Sequence, residues 1–181
     1  MNLILRFDFG ILEFLDFVRC DFLNPFMKFI TSLGNAGMFW IVLGVLLFCT
    51  KKYREEGFSV LLSLVINLVL VNIIVKPNVA RIRPFDLVEG VKLIIEAPKD
   101  FSFPSGHTSA SFASALALFY HNKKWGIWAF ALAILIGFSR LYLYVHYPTD
   151  VVAGALFGII SAMLAHGIIK NYKVKYNEKR A

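Results

Sequence analysis

The sequence predicts an all-α, polytopic membrane helical bundle of five to six helices, with an amphipathic helix at its N-terminus. Three observations carry that prediction. The chain has 181 residues, 58% of them hydrophobic, with a mean hydropathy of +0.66. Only 17% are charged, against roughly 25% in soluble domains. The apolar residues also come in blocks: 57–75 runs 19 positions without a charge, close to the ~20 that a helix needs to cross a bilayer.

The elements follow in order. In residues 1–21, Arg6, Asp8, Glu13, Asp16, Arg19 and Asp21 interrupt apolar positions at roughly helical spacing. This fits a helix lying on the membrane or packed on the bundle, whereas a sixth span would have to bury acids. The stretch lacks the basic start and small-residue cleavage site of a signal peptide. Uncharged blocks at 29–50, 57–75, 101–120, 125–139 and 151–169 are the expected spans, the shorter ones extended by flanking residues that snorkel. Residues 171–181 form a basic tail, and 1–181 reads as a single membrane-embedded domain. Cys20 and Cys49 show no metal-binding spacing and read as ordinary apolar-position residues.

Charge between the blocks sets the expected orientation. Lys51, Lys52, Arg54, Lys123, Lys124, Lys170, Lys173, Lys175, Lys179 and Arg180 fall in segments that alternate with 76–103 and 140–148. The latter hold Lys76, Arg81, Arg83, Lys92, Lys99 and Arg140. Positive charge marks the cytoplasmic side, so the C-terminus is expected inside and the loops 76–103 and 140–148 outside. The net charge of +7 suits a basic tail beside anionic lipid and calls for no nucleic acid. The long connection 77–103 carries apolar patches that place it against the interface, over a site.

Nearly all the unusual polarity lies in three segments on that outer face. KPNVARIRP carries Lys76, Arg83 and Pro84. FSFPSGHTSASF carries Pro104, Ser105, Gly106 and His107 where a helix begins. SRLYLYVHYPTD carries Ser139, Arg140, His146 and Asp150. In the second segment Ser102 is placed to cap, Pro104 suits a first turn, and the free N–H groups of such a start attract anions. A capped helix with a small-residue packing face (Ala110, Ser111, Ala113, Ser114, Ala115, Ala117) explains the same stretch but not His107.

In the third segment, Tyr147–Pro148–Thr149 reads as a helix start, which puts Asp150 in the first turn within reach of His146. A carboxylate on one ring nitrogen leaves the other as base or nucleophile. An interfacial histidine beside a capping aspartate, and a snorkelling Arg140, are the plainer readings of these residues taken singly. Taken together they say more. Ionisable groups at membrane depth cost roughly 2.5–3.5 kcal/mol each. Packing has no use for Lys76, Arg83 and Arg140 at the ends of different helices on one side; an anion with several oxygens does.

Lys76-x6-Arg83-Pro84, Pro104-Ser105-Gly106-His107 and Ser139-Arg140-x5-His146-x3-Asp150 resemble, in order and spacing, the three-part signature of the type 2 phosphatidic acid phosphatase superfamily. That superfamily also includes vanadium haloperoxidases and soluble bacterial acid phosphatases. The resemblance covers about residues 25–170, with its diagnostic motifs between 76 and 150. It implies that His146 attacks phosphorus to form a phosphohistidine, that Asp150 orients and polarises His146, and that His107 is the general acid. It also implies that Lys76, Arg83 and Arg140, with Ser105 and the backbone at Gly106, hold the phosphate oxygens, with no metal and no other cofactor.

The activity so implied is that of a metal-independent integral-membrane lipid phosphatase, with a lipid phosphate or diphosphate and the bilayer as its partners. The outward site is similar to that of undecaprenyl-diphosphate phosphatases; phosphatidylglycerophosphate phosphatase and lipid phosphotransferase are the alternatives on the same scaffold. A non-enzymatic bundle or transporter would leave the filled signature unexplained. Arg81 lies beside the set but outside the signature. His121 and His166 read as a loop and a helix-end histidine, and Gly154 and Gly158 as a packing face. The charged first helix departs from the family's six clean spans.

Overall fold

Small residues decide how this bundle is built. The computed structural model describes residues 3–88 and 90–178. In chain order the helices are α1 (Leu3–Phe17), α2 (Asn24–Leu33), α3 (Met38–Cys49), α4 (Arg54–Asn67), α5 (Lys76–Val79), α6 (Pro84–Leu87), α7 (Gly106–His121), α8 (Lys123–Tyr142) and α9 (Pro148–Glu178). A π-helical stretch, Leu68–Val75, joins α4 to α5.

Seven of the described helices have ten residues or more, not the five to six expected from the sequence. The first block, 29–50, accounts for part of the difference. It breaks at Gly34–Asn35–Ala36–Gly37, where Ala36 (φ 50°) and Gly37 (φ 66°) turn left-handed and bend α2 from α3 by 43°. An uncharged run tells the length of a span but not a kink within it. Among the described residues, three stretches are long and apolar enough to cross a membrane: Lys51–Leu87, Lys123–Tyr142 and Pro148–Lys175. The bent α2–α3 pair makes a fourth if it crosses as one span.

The expected span 101–120 holds a shorter helix. α7 has only 16 residues, and Thr108, Ser109, Ala110, Ser111, Ala113, Ser114, Ala115 and Ala117 are all buried. It is the central helix, packed against α4, α8 and α9. Glycines set these distances, for a Cβ at Gly158 would strike the Ser109 carbonyl and one at Gly154 the Ser105 carbonyl. Two polar pairs cross the interior of the bundle: Trp40 Nε1 donates to Ser111 Oγ at 2.9 Å, and Asn67 Nδ2 to Ser109 Oγ at 3.2 Å. Outside, Leu46, Ile73, Trp128, Ile134 and Leu164 are exposed. A soluble monomer rarely carries such an apolar surface, and lipid accepts it.

The N-terminal helix packs on the bundle. Leu12 and Leu15 are buried, and Phe9 meets the Tyr147 ring edge-on, with centroids 5.5 Å apart. One acid goes in with them: Asp8 is fully buried. α9 continues to Glu178, so residues 171–178 of the basic tail are its last turns; Lys179 and Arg180 lie outside the described residues.

Candidate active site

Each motif segment is held at a helix end by its own chemistry. Lys76 follows the π-helical stretch, a geometry frequent at functional sites. Arg83 is extended (φ −77°, ψ 154°) ahead of Pro84, as the residue before a proline prefers. Tyr144, at φ 60°, turns the chain after α8, and the run Leu143–Val145 is buried beneath it. Main-chain bonds tie the three segments together. The Ser102 N–H donates to the Arg81 carbonyl at 2.8 Å, and the Ser105 N–H to the Asp150 carbonyl at 3.0 Å.

The structure brings Lys76, Arg83, Gly106, His107, Arg140 and His146 to one cavity of about 930 Å³. Asp150 stands behind it, fully buried, with Oδ2 3.4 Å from His146 Nδ1. A carboxylate only accepts, which assigns the proton to Nδ1 and leaves the Nε2 lone pair facing Arg83 Nη1 at 3.3 Å. Burial, then the charges of Arg83, Arg140 and Lys76, holds the His146 imidazole well below its ordinary pKa, so the ring is neutral at pH 7. Neutral imidazole is the nucleophilic form.

Ser105 is the sequence-predicted residue that the structure turns away from the cavity. It caps α7, its Oγ accepting from the Thr108 N–H at 3.4 Å and lying 2.9 Å from Thr108 Oγ1. The cap expected of Ser102 therefore falls to Ser105, and the Ser102 hydroxyl donates to Asp150 Oδ2 instead. Gly106 faces the cavity, where an added Cβ would lie 3.9 Å from Lys76 Nζ.

Several partners were not visible in the sequence. Asp100, from the long loop, pairs with Lys76 and, through Oδ1, with Arg83 Nη2 at 2.7 Å. Burial pushes its carboxyl pKa up, but Lys76 and Arg83 more than offset this and bring it down to about 2. The two cations thus share one carboxylate at the mouth of the site. Asn35 Oδ1 accepts from His107 Nε2 at 2.9 Å, and Thr31 Oγ1 from Arg140 Nη1 at 2.6 Å. Gly34 makes room for His107, since a Cβ there would lie 2.6 Å from the ring. The Gly–Asn–Ala–Gly run was a legible turn signal, although it did not say which side chain the turn serves. The loop lies over the site as its apolar patches suggested, with Ile94, Ile95 and Pro98 lining the cavity. Among the described residues, no group of three or more His, Cys, Asp or Glu is placed to hold a metal ion.

Comparison with known proteins agrees with this geometry. An undecaprenyl-diphosphatase of Sulfolobus acidocaldarius is 33% identical over 154 residues, covering 84% of this chain and 73% of that protein. The crystal structure of Aquifex aeolicus LpxE superposes with a TM-score of 0.78 at 32% identity, covering 89% of this chain and 95% of that one. A phosphatidylglycerolphosphate phosphatase from Bacillus subtilis gives a TM-score of 0.75 at 29% identity, covering 94% and 88%. The PAP2 superfamily pattern itself matches residues 56–173, a span that holds all three motif segments. The chain belongs to the PAP2 superfamily, among its membrane lipid phosphatases.

Proposed function

We propose that this lipid phosphatase works through a phosphohistidine on His146 and that its substrate is undecaprenyl diphosphate, released as undecaprenyl phosphate. The observation that carries the mechanism is the meeting of Lys76, Arg83 and Arg140 at the cavity that His146 lines. The Arg140 side chain is 3% exposed and its buried Nε has no protein partner. Three cations gathered beside a neutral imidazole suit the oxygens of a phosphate.

In the first half-reaction the His146 Nε2 lone pair forms the N–P bond. The bond from phosphorus to the leaving oxygen breaks, its electron pair goes to that oxygen, and His107 supplies the proton. In the second, His107 takes a proton from the water that attacks phosphorus, which restores the acid; the N–P bond breaks with its pair returning to Nε2, and inorganic phosphate leaves. Lys76, Arg83 and Arg140 stabilise charge on the transferring group, the work that Mg²⁺ does in other phosphoryl-transfer enzymes. Ser105 contributes by fixing the start of α7, and the Gly106 backbone faces the same oxygens.

Two features support a diphosphate on a long apolar chain. Lys28 adds a fourth cation to the cavity, against the two acids Asp100 and Glu96, and a second phosphate group would use it. Ile41, Leu61, Leu64, Val65 and Leu68 form an apolar wall for lipid. The name of the Sulfolobus relative supports the same substrate. Phosphatidylglycerophosphate is the second reading, favoured by the similarity to the Bacillus structure over 94% of the chain.

Phosphate release from both lipids at equal surface concentration, with EDTA present, tests the choice. Faster release from undecaprenyl diphosphate, unchanged by EDTA, is expected; the reverse ranking assigns phosphatidylglycerophosphate. We place the site on the extracytoplasmic face with the C-terminus inside, from the distribution of Lys and Arg. A cysteine at position 92 is then labelled from outside by an impermeant reagent, and one at 123 is not. Labelling at 123 alone inverts the topology.

A further inference from the structure

Arg81 is outside the signature, and Asp8 lies on a helix far upstream of it, yet both are joined to the carboxylate behind the nucleophile. Arg81 Nη1 donates to Asp150 Oδ1 at 2.6 Å and to Thr149 Oγ1 at 2.7 Å, and Nη2 donates to Asp8 Oδ2 at 2.6 Å. Asp8 also accepts from the Thr149 N–H at 3.0 Å and from Thr149 Oγ1 at 2.7 Å. The guanidinium carbon sits 3.8 Å from the centroid of the Tyr147 ring. Both carboxylates are 0% exposed.

Docking α1 does not require this arrangement. Phe9, Leu12 and Leu15 already supply an apolar face, and burying a carboxylate costs several kcal/mol before pairing offsets it. The count of charges shows what the acid adds. Asp8 and Asp150 share one guanidinium, so the buried cluster carries a net single negative charge beside His146 Nδ1. With Asp8 neutral, Arg81 would balance Asp150 alone and the imidazole would face a neutral pair.

We propose that Asp8 and Arg81 are positioning residues for the nucleophile. Asp8 draws the Arg81 guanidinium partly away from Asp150, and Arg81 holds Oδ1, which with the Ser102 hydroxyl and the Tyr147 N–H on Oδ2 fixes the rotation that turns Oδ2 to His146 Nδ1. As the N–P bond forms, positive charge develops on the imidazole, and the net negative cluster stabilises it. The inference rests on the reading of His146 as the nucleophile. It gives the N-terminal helix a part in the chemistry, acting from behind the site without touching substrate.

The test is Asp8→Asn, which keeps the side-chain shape and removes the charge. Phosphate release is expected to fall in kcat by about 10- to 100-fold, the size usual for partners one layer behind a reacting group. KM, and the inhibition constant of inorganic phosphate, should stay within about twofold, because Asp8 touches none of Lys76, Arg83 or Arg140. Asp8→Glu, which restores the charge, should recover most of kcat. A purely structural anchor predicts the opposite split: a lower melting temperature in detergent with kcat per folded molecule unchanged.

Folded Asp8→Asn with wild-type kcat overturns the proposal. If that variant does not fold, Arg81→Lys is read in its place, with the same kcat-against-KM split expected. Unchanged kcat there, or failure of both variants to fold, also overturns it. His146→Ala in the same preparation keeps the two readings apart. Wild-type turnover in Asp8→Asn with none in His146→Ala removes only this inference, whereas activity in His146→Ala removes the nucleophile and this inference with it.

Discussion

Replacing His146 with alanine is expected to lower phosphate release by about 10⁴- to 10⁶-fold, the range lost when a covalent nucleophile is removed. The ring is almost wholly buried at the junction of α8 and α9, with Asp150 behind Nδ1 and Arg83 in front of Nε2. His107, the second histidine of the cavity, is bonded to Asn35 through Nε2. Truncation should leave the three cations in place, so inorganic phosphate still competes for the site with little change. Turnover measured with phosphate as the competing ligand checks both halves. Loss of turnover with phosphate binding retained is the expected pattern.

The second large effect is at Arg140. Arg140→Leu is expected to lower kcat by about 10³-fold, since a guanidinium on a transferring phosphoryl group is worth that much or more. The sign of the accompanying stability change makes this result diagnostic. Arg140 is 3% exposed, donates from Nη1 to Thr31 and has no partner at Nε. A buried cation with so few partners weakens the fold, and an apolar side chain of similar volume relieves that cost. The variant should therefore melt in detergent at the same temperature or higher while losing activity. Arg140→Lys should stay impaired, because a point charge does not replace the planar fork. An Arg140→Leu protein that melts lower and keeps its kcat would assign the residue to structure.

What the sequence made legible, and what it did not, follows from the kind of signal each residue leaves. The class of fold was plain, because lipid demands long uncharged runs and residues 57–75 and 151–169 supply them. The helix count was not, because the bend at Ala36–Gly37 lies inside an unbroken apolar block and leaves its charge pattern intact. α7 was expected as a span, and its wealth of Ala and Ser suits its place as the central helix, around which α4, α8 and α9 approach closely. At the site, Lys76, Arg83, His107, Arg140 and His146 were found because they are costly near a membrane and fall at fixed spacings. Asp100, Asn35 and Thr31 were missed because each is one ordinary polar residue in a loop or at a helix end.

Asp8 was missed for a different reason. An acid on an amphipathic helix reads as solvated, and its partner Arg81 is distant in sequence. A sixth span was expected to have to bury acids; packed on the bundle, α1 already buries one, Asp8. The structure meets that cost with one guanidinium shared between two carboxylates.

The central claim is a covalent intermediate on His146, and rapid quenching with substrate labelled in the transferred phosphate tests it most directly. Within the first turnover the label is expected on the protein, in a linkage stable to alkali and labile to acid, as a phosphoramidate is, and mapping to His146. It should be absent from His146→Ala. Steady turnover by the wild type with no protein-bound label, or label on a peptide without His146, would contradict the account.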